Sequence, residues 1–172
     1  AHQALARQFK DRMVAKNYRA VVAGAMPAEE GVIDAPIGRH RGDRKKMAAL
    51  AGGREALTRW KVLQEFGGKA SLLDVHIETG RTHQIRVHLC ATGHPVLGDR
   101  EYGGRGCIPE LLKRGSAGTV LKAMNRQALH AMTLGFHHPG SDRYLEFMAP
   151  LADDMAHLIE ALESDYHQNE PR

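Results

Sequence analysis

Glu78-Thr79-Gly80-Arg81-Thr82-His83-Gln84-Ile85-Arg86-Val87-His88-Leu89, followed by Gly93-His94-Pro95-Val96-Leu97-Gly98-Asp99 and Tyr102-Gly103-Gly104, is the stretch on which the fold turns. Ahead of it, Leu73, Val75 and Ile77 alternate as one face of a strand over Ser71–Glu78. Gly80-Arg81 makes a corner, and Thr82 stands where an N-cap would begin a short helix over His83–Thr92. Gly93 ends that helix and Pro95 lies just beyond it. On this helix Arg86 shares a face with His83 and Cys90, while Ile85 and Leu89 point to the core. Guanidinium groups on a cornered backbone offer planar, paired donors suited to carboxylates and phosphates. For a lone arginine, a structural salt bridge competes with that role.

Outward from this corner the chain alternates short strands with a few helices. Leu5, Phe9 and Met13 recur at helical spacing, so His2 to about Arg12 reads as an amphipathic helix. Tyr18–Ala23 reads as a strand ended by Gly24, and Gly31–Ile37 as a short strand interrupted by Pro36. Gly38–Gly53 is expected as a basic loop, and Leu57–Glu65 as a strand turning at Gly67-Gly68. Gly103–Asn125 carries one or two short helices, Leu129–His137 and Arg143–Met148 form a hairpin, and Leu151, Met155, Leu158, Ile159 and Leu162 stripe a final helix. The class is α+β: a mixed, largely antiparallel sheet flanked by helices and loops.

The 172 residues suffice for one domain with a real core. Hydrophobic content of 42% and charged content of 26% are ordinary for a globular chain, and no apolar run reaches membrane-spanning length. Two cysteines, Cys90 and Cys107, make no disulfide framework, which fits a reducing cytoplasm. The net charge of +4 is unevenly spread. From Gly38 to Lys61 the basic residues Arg39, Arg41, Arg44, Lys45, Lys46, Arg54, Arg59 and Lys61 face only Asp43 and Glu55, whereas the C-terminal stretch is acidic. Such polarity suits a face that meets a polyanion, or a solvated charged loop.

Eleven histidines invite a metal site. His83 and His88 are five apart rather than four, and no HExxH or CxxC grouping occurs. A Gly-x-Ser-x-Gly nucleophile elbow is absent, and Gly103-Gly104-Arg105-Gly106 lacks the lysine and spacing of a phosphate loop.

The string TGRTHQIRVHL, then GHPVLGD and YGG, closely resembles the large-subunit ribosomal RNA pseudouridine synthase family, the Rlu group. Lys16-Asn17-Tyr18 resembles that family's Lys-x-Tyr strand; Ile33–Ile37, Arg44–Met47, Glu55–Trp60, Arg126–Ala131, His138-Pro139 and Ala149–Leu151 match further blocks in order. The resemblance implies isomerisation of uridine to pseudouridine in RNA, ribosomal or transfer, with no metal and no organic cofactor. The uridine is everted into a pocket, an aspartate attacks the nucleoside, the uracil turns, and a carbon–carbon bond forms. It implies that Tyr18 packs against the base and helps to remove the C5 proton, and that Arg86 pairs with the catalytic aspartate. Arg81, Thr82, His83, Gln84, Arg44 and Lys46 are expected at the RNA.

The family's His-Arg-Leu-Asp-x-x-Thr-Ser-Gly block, which carries the nucleophile ahead of the Lys-x-Tyr strand, does not occur in this sequence. By resemblance, residues 1–172 are therefore expected to be a catalytic domain whose N-terminal portion, with the nucleophile, lies outside the chain, and which is inactive alone. In the same pattern Asp99 is structural. A non-catalytic RNA-binding module on the same scaffold, and a histidine-based metallohydrolase, are the alternatives.

Overall fold

The computed structural model describes residues 1–103, 112–113 and 115–167. Its elements in chain order are α1 (His2–Lys10), β1 (Ala15–Ala23), β2 (Glu30–Asp34), β3 (Ile37–Arg39), β4 (Met47–Ala49), β5 (Leu57–Phe66), β6 (Ala70–Ile77), α2 (Gln84–Ala91), α3 (Ser116–Ala123), β7 (Leu129–His137), β8 (Tyr144–Met148) and α4 (Asp153–His167). Six strands form one sheet in the order β2-β5-β6-β1-β7-β8, and β3 and β4 form a second, two-stranded one. Every ladder between these strands is antiparallel. The class is α+β, as the sequence predicts.

Alternation makes the main sheet one-sided. Trp60, Val75 and Tyr18 lie in register across β5, β6 and β1, as do Val62, Leu73 and Ala20. These side chains join the principal core with Ile85 and Leu89 of α2, Leu121 of α3 and Met155, Leu158 and Leu162 of α4. Their neighbours on the opposite face, Arg59, Lys61 and His76, are exposed. Gly67 and Gly68 both take positive φ, 56° and 70°, in the tight turn of the β5–β6 hairpin, where a side chain would be strained.

The Gly38–Gly53 stretch departs from its expected loop. Ile37–Arg39 pairs with Met47–Ala49, so the basic residues between them sit on the tip of a small hairpin. Pro36 separates β3 from β2, and the ring that interrupts one strand sends the chain into a second sheet. Between residues 103 and 125 one helix, α3, is described. The Asp165 carboxylate accepts hydrogen bonds at its N-terminus from the Ser116 and Ala117 N–H groups, each at 3.0 Å. Gly104 and Cys107 lie outside the described residues.

Candidate active site

The corner is bolted to β5 by buried polar side chains. The Thr79 hydroxyl accepts from Leu57 N at 3.1 Å and donates to Gln84 Oε1 at 2.8 Å. Gln84 Oε1 also accepts from Arg81 N at 3.0 Å, while its Nε2 donates to Leu57 O at 3.0 Å and Thr58 Oγ1 at 3.1 Å. His88, fully buried, meets Thr58 Oγ1 through Nδ1 and Ala35 O through Nε2, both at 2.9 Å. Only a ring donor suits a carbonyl, so Nε2 carries the proton and Nδ1 accepts from the hydroxyl. Burial pushes the His88 imidazole below its ordinary value, against a weaker opposing pull from the Ala35 carbonyl.

Two expectations change here. Helix α2 starts one residue late: His83 is the N-cap, in the left-handed region at φ 56°, and no side chain caps the helix. Thr82 is exposed and outside the cap position, because the left-handed step turns the chain after it. Gln84, expected at the RNA, is 3% exposed and has both its oxygen and its nitrogen engaged in tying the corner to β5, and it also forms part of the wall of the cavity described below. The far end of α2 follows the sequence. Gly93, at φ 87°, donates to Cys90 O and His94 N donates to Leu89 O, closing a Schellman turn.

Beyond that turn the chain threads back through the sheet end. Leu97 N donates to Val21 O at 2.8 Å, and Ala128 N to Leu97 O at 2.8 Å. Gly98 has φ 74°, and a Cβ there would lie 2.7 Å from Arg126 O, so only glycine fits. That step delivers Asp99 beneath α2. Arg86 Nε donates to Asp99 Oδ2 and Arg86 Nη2 to Oδ1, each at 2.7 Å. The N–H groups of Glu101 and Tyr102 also donate to Oδ1, each at 3.0 Å. Burial opposes ionisation of Asp99, yet the Arg86 bonds and these two backbone donors together hold its carboxyl below the usual range. The hydrogen bond to Asp99 is likewise the main reason that Arg86 holds its proton still more firmly.

Arg86 is braced further by Glu101 Oε2 at 3.0 Å and by the Tyr102 ring, 4.7 Å from its guanidinium carbon. His83 Nδ1 lies 2.9 Å from the Tyr102 hydroxyl, and Cys90 Sγ donates to Tyr102 O at 3.2 Å. The face shared by His83, Arg86 and Cys90 thus docks on one tyrosine. The basic hairpin reaches the same place: Met47 N donates to the Tyr102 hydroxyl and Lys46 Nζ to Glu101 O. Lys46 is therefore half-buried against the site, whereas Arg44 is exposed at the hairpin tip.

A cavity of about 290 Å³ opens beside this assembly, just under the roughly 300 Å³ at which small-molecule sites begin. Tyr18, Arg81, His83, Arg86, Gln127 and Leu129 line it, over an apolar wall of Ile77 and Ile85. Tyr18 reaches it from β1 and Arg86 from α2, so residues 68 positions apart in sequence (86 − 18) meet at one cleft. Burial raises the Tyr18 phenol above its ordinary value, keeping it neutral at physiological pH. The bonds from Arg86 to Asp99 and Glu101 use Nε and Nη2; among the described residues Nη1 has no hydrogen-bond partner. Arg81 Nε donates to Glu55 O at 2.8 Å. Among the described residues, no carboxylate lines the cavity. Thr82 and Arg44 are not among its lining residues, and neither is Lys46.

Sequence reasoning left out the pairing of Arg86 with Asp99 and the platform of Tyr102. The signal was present: Gly98-Asp99 offers an acidic residue at a forced turn close behind a helix carrying an arginine. Among the described residues, no three His, Cys, Asp or Glu side chains gather as a metal-binding set, and no helix is long and apolar enough to cross a membrane.

Comparison with known proteins adds four matches. Residues 1–91 match the family model described as RNA pseudouridylate synthase. The chain is 46% identical over 96% of its length to an uncharacterised RNA pseudouridine synthase of Mycobacterium bovis, covering 50% of that protein. It is 43% identical over 98% of its length to ribosomal large subunit pseudouridine synthase D of Nitrosomonas europaea, covering 46% of it. The chain thus spans about half the length of the curated relatives it matches. Among solved structures it superposes on human RNA pseudouridylate synthase domain containing 1 with a TM-score of 0.68 at 27% identity, covering 94% of this chain and 71% of that one.

Proposed function

The chain belongs to the RNA pseudouridylate synthase family, and from that premise we propose that it forms most of the catalytic domain of an enzyme isomerising uridine to pseudouridine in large-subunit ribosomal RNA. The observation that carries this reading is the convergence of Tyr18 and Arg86 on one cavity. An everted uracil enters with its ring against the Tyr18 ring, and the neutral phenol offers a hydrogen bond to the base and relays the C5 proton, taking it on its oxygen as its own hydroxyl proton passes to water. Eversion is offset by contacts to the base and to flanking phosphates, for which Arg81 and His83 stand at the cavity mouth and Arg44 and Lys46 on the adjoining hairpin.

Arg86 orients the attacking carboxylate through its unengaged Nη1 edge, and its positive charge keeps that carboxylate ionised. Asp99 is not the attacking group: Arg86 and two backbone N–H groups saturate its oxygens, and it is 1% exposed. With no carboxylate among the described residues lining the cavity, we assign the nucleophile to sequence outside these 172 residues, within a protein about twice this length. The reaction needs no metal or organic cofactor in this scheme, and a ribosomal RNA substrate places the enzyme in the cytoplasm.

Release of tritium from C5-labelled uridine in ribosomal RNA tests the assignment. The full-length protein is expected to release tritium and the 172-residue chain none. Turnover by the chain alone would overturn the claim about the nucleophile. No release by the full-length protein, despite RNA binding, would favour a binding module.

A further inference from the structure

A second cavity, of about 420 Å³, lies on the other side of Arg81 and has no part in the chemistry above. Lys10, Arg12, Lys16, Arg54 and Arg81 line it with Phe9, and among the described residues no acidic side chain does. Glu55 pairs with Arg12 at 2.7 Å from outside the lining. Lys16 is the unusual member. It is 8% exposed, and among the described residues its ammonium has no hydrogen-bond or carboxylate partner, only the Phe9 ring with its centroid 5.6 Å away. A buried, unpaired ammonium destabilises a fold, and cations crowded together repel; an anion in the cavity relieves both. Burial lowers the Lys16 ammonium from its ordinary value, and burial with repulsion from Arg54 and Arg12 lowers Arg81.

Position in the fold says which anion. Lys16 and Tyr18 are two residues apart on one face of β1, so their side chains stand about 7 Å apart along the strand. Arg81 lines both cavities. One strand of nucleic acid can therefore put a base beside Tyr18 and the phosphate of an adjoining nucleotide beside Lys16. Phe9 is 52% exposed at the rim, and an aromatic ring next to a cationic groove is the combination that holds single strands. We propose that the Lys16 cavity is a backbone subsite that binds a phosphodiester of the RNA strand flanking the everted uridine. The identification of the ligand as RNA rests on the synthase reading; the existence of an anion site does not.

The test is fluorescence anisotropy of the full-length protein with a short, labelled, uridine-rich single-stranded RNA across a range of salt concentrations. Lys16→Met is expected to weaken binding about tenfold and to make the salt dependence shallower by about one counterion. Arg54→Gln, on an exposed side chain, should move both in the same direction by less. Lys122→Gln in α3, an equal loss of charge on another surface, should leave both unchanged.

Unaltered affinity and salt slope in Lys16→Met would overturn the proposal, as would an equal loss in Lys122→Gln. If Lys16→Met does not fold, unchanged binding by Arg54→Gln would overturn it instead. Inorganic phosphate that shifts the amide resonances of Gly80 and Arg81, with RNA affinity indifferent to Lys16, would mean a free-phosphate site and also overturn it. Loss of RNA binding in Lys16→Met, in a protein whose full-length form makes no pseudouridine, would sink the synthase reading and leave the subsite standing.

Discussion

Arg86 and Lys16 are the half-buried and buried cations of two adjoining cavities, and their surroundings are opposite. Arg86 is held by two carboxylates and a tyrosine ring. Lys16 has an aromatic ring and four other cations around its cavity. A guanidinium held through Nε and both Nη2 donors is fixed before substrate arrives, so its remaining Nη1 edge can orient a reacting group without reorganising. An ammonium left without a counterion is finished only by what it binds. The first arrangement suits chemistry and the second suits capture.

The sharpest way to break this contrast is to remove each cation and ask which property is lost. In the full-length protein, Arg86→Ala is expected to lower turnover about a thousandfold, equivalent to about 4 kcal/mol, with RNA affinity changed much less. Single-turnover kinetics beside a binding isotherm checks the split. Turnover within a few-fold of the unmodified protein would remove Arg86 from the site.

Asp99→Asn probes the brace itself. It leaves a buried guanidinium facing an amide and should cost about 3 kcal/mol of stability in urea denaturation. The sign of the pH dependence follows from the lowered carboxyl of Asp99. Its contribution is fully present above the unfolded value, about 3.9, and drains away as pH falls through the lower folded value. The unmodified chain should therefore lose more stability below about pH 4 than Asp99→Asn does. Parallel acid profiles would show that the pair contributes nothing. Gln84→Ala comes next, at about 2 kcal/mol, because it removes one hydrogen bond each from the Thr79 and Thr58 hydroxyls, the Leu57 carbonyl and the Arg81 N–H inside the corner. Arg44→Gln should be smallest, with stability unchanged within about 0.5 kcal/mol and RNA affinity falling only a few-fold.

The strands were legible because their alternation is regular: Leu73, Val75 and Ile77 in β6, and Thr58, Trp60 and Val62 in β5, face the core as their spacing requires. The end of α2 was legible too, since Gly93 meets the local demand of a Schellman turn. The start of α2 was not. A threonine before an apolar run looks like a cap, and only the tertiary tie from Gln84 to β5 explains why His83 takes the left-handed step instead. The β3–β4 ladder escaped notice because three-residue strands carry too little alternation to register. Within the site, Tyr18 and Arg86 could be named from resemblance, but their distance from each other, and the identity of the carboxylate against Arg86, depend on a chain reversal at Gly98 that no local pattern encodes.

The central claim is that the cavity between Tyr18 and Arg86 receives the everted uridine. Large-subunit ribosomal RNA substituted with 4-thiouridine, irradiated with the full-length protein and digested for mass spectrometry, locates the base directly. Crosslinks to the peptides containing Tyr18 and Gly80–Arg86 are the expected result. Crosslinks confined to the groove between α3 and α4, around Val120 and Met124, would contradict it.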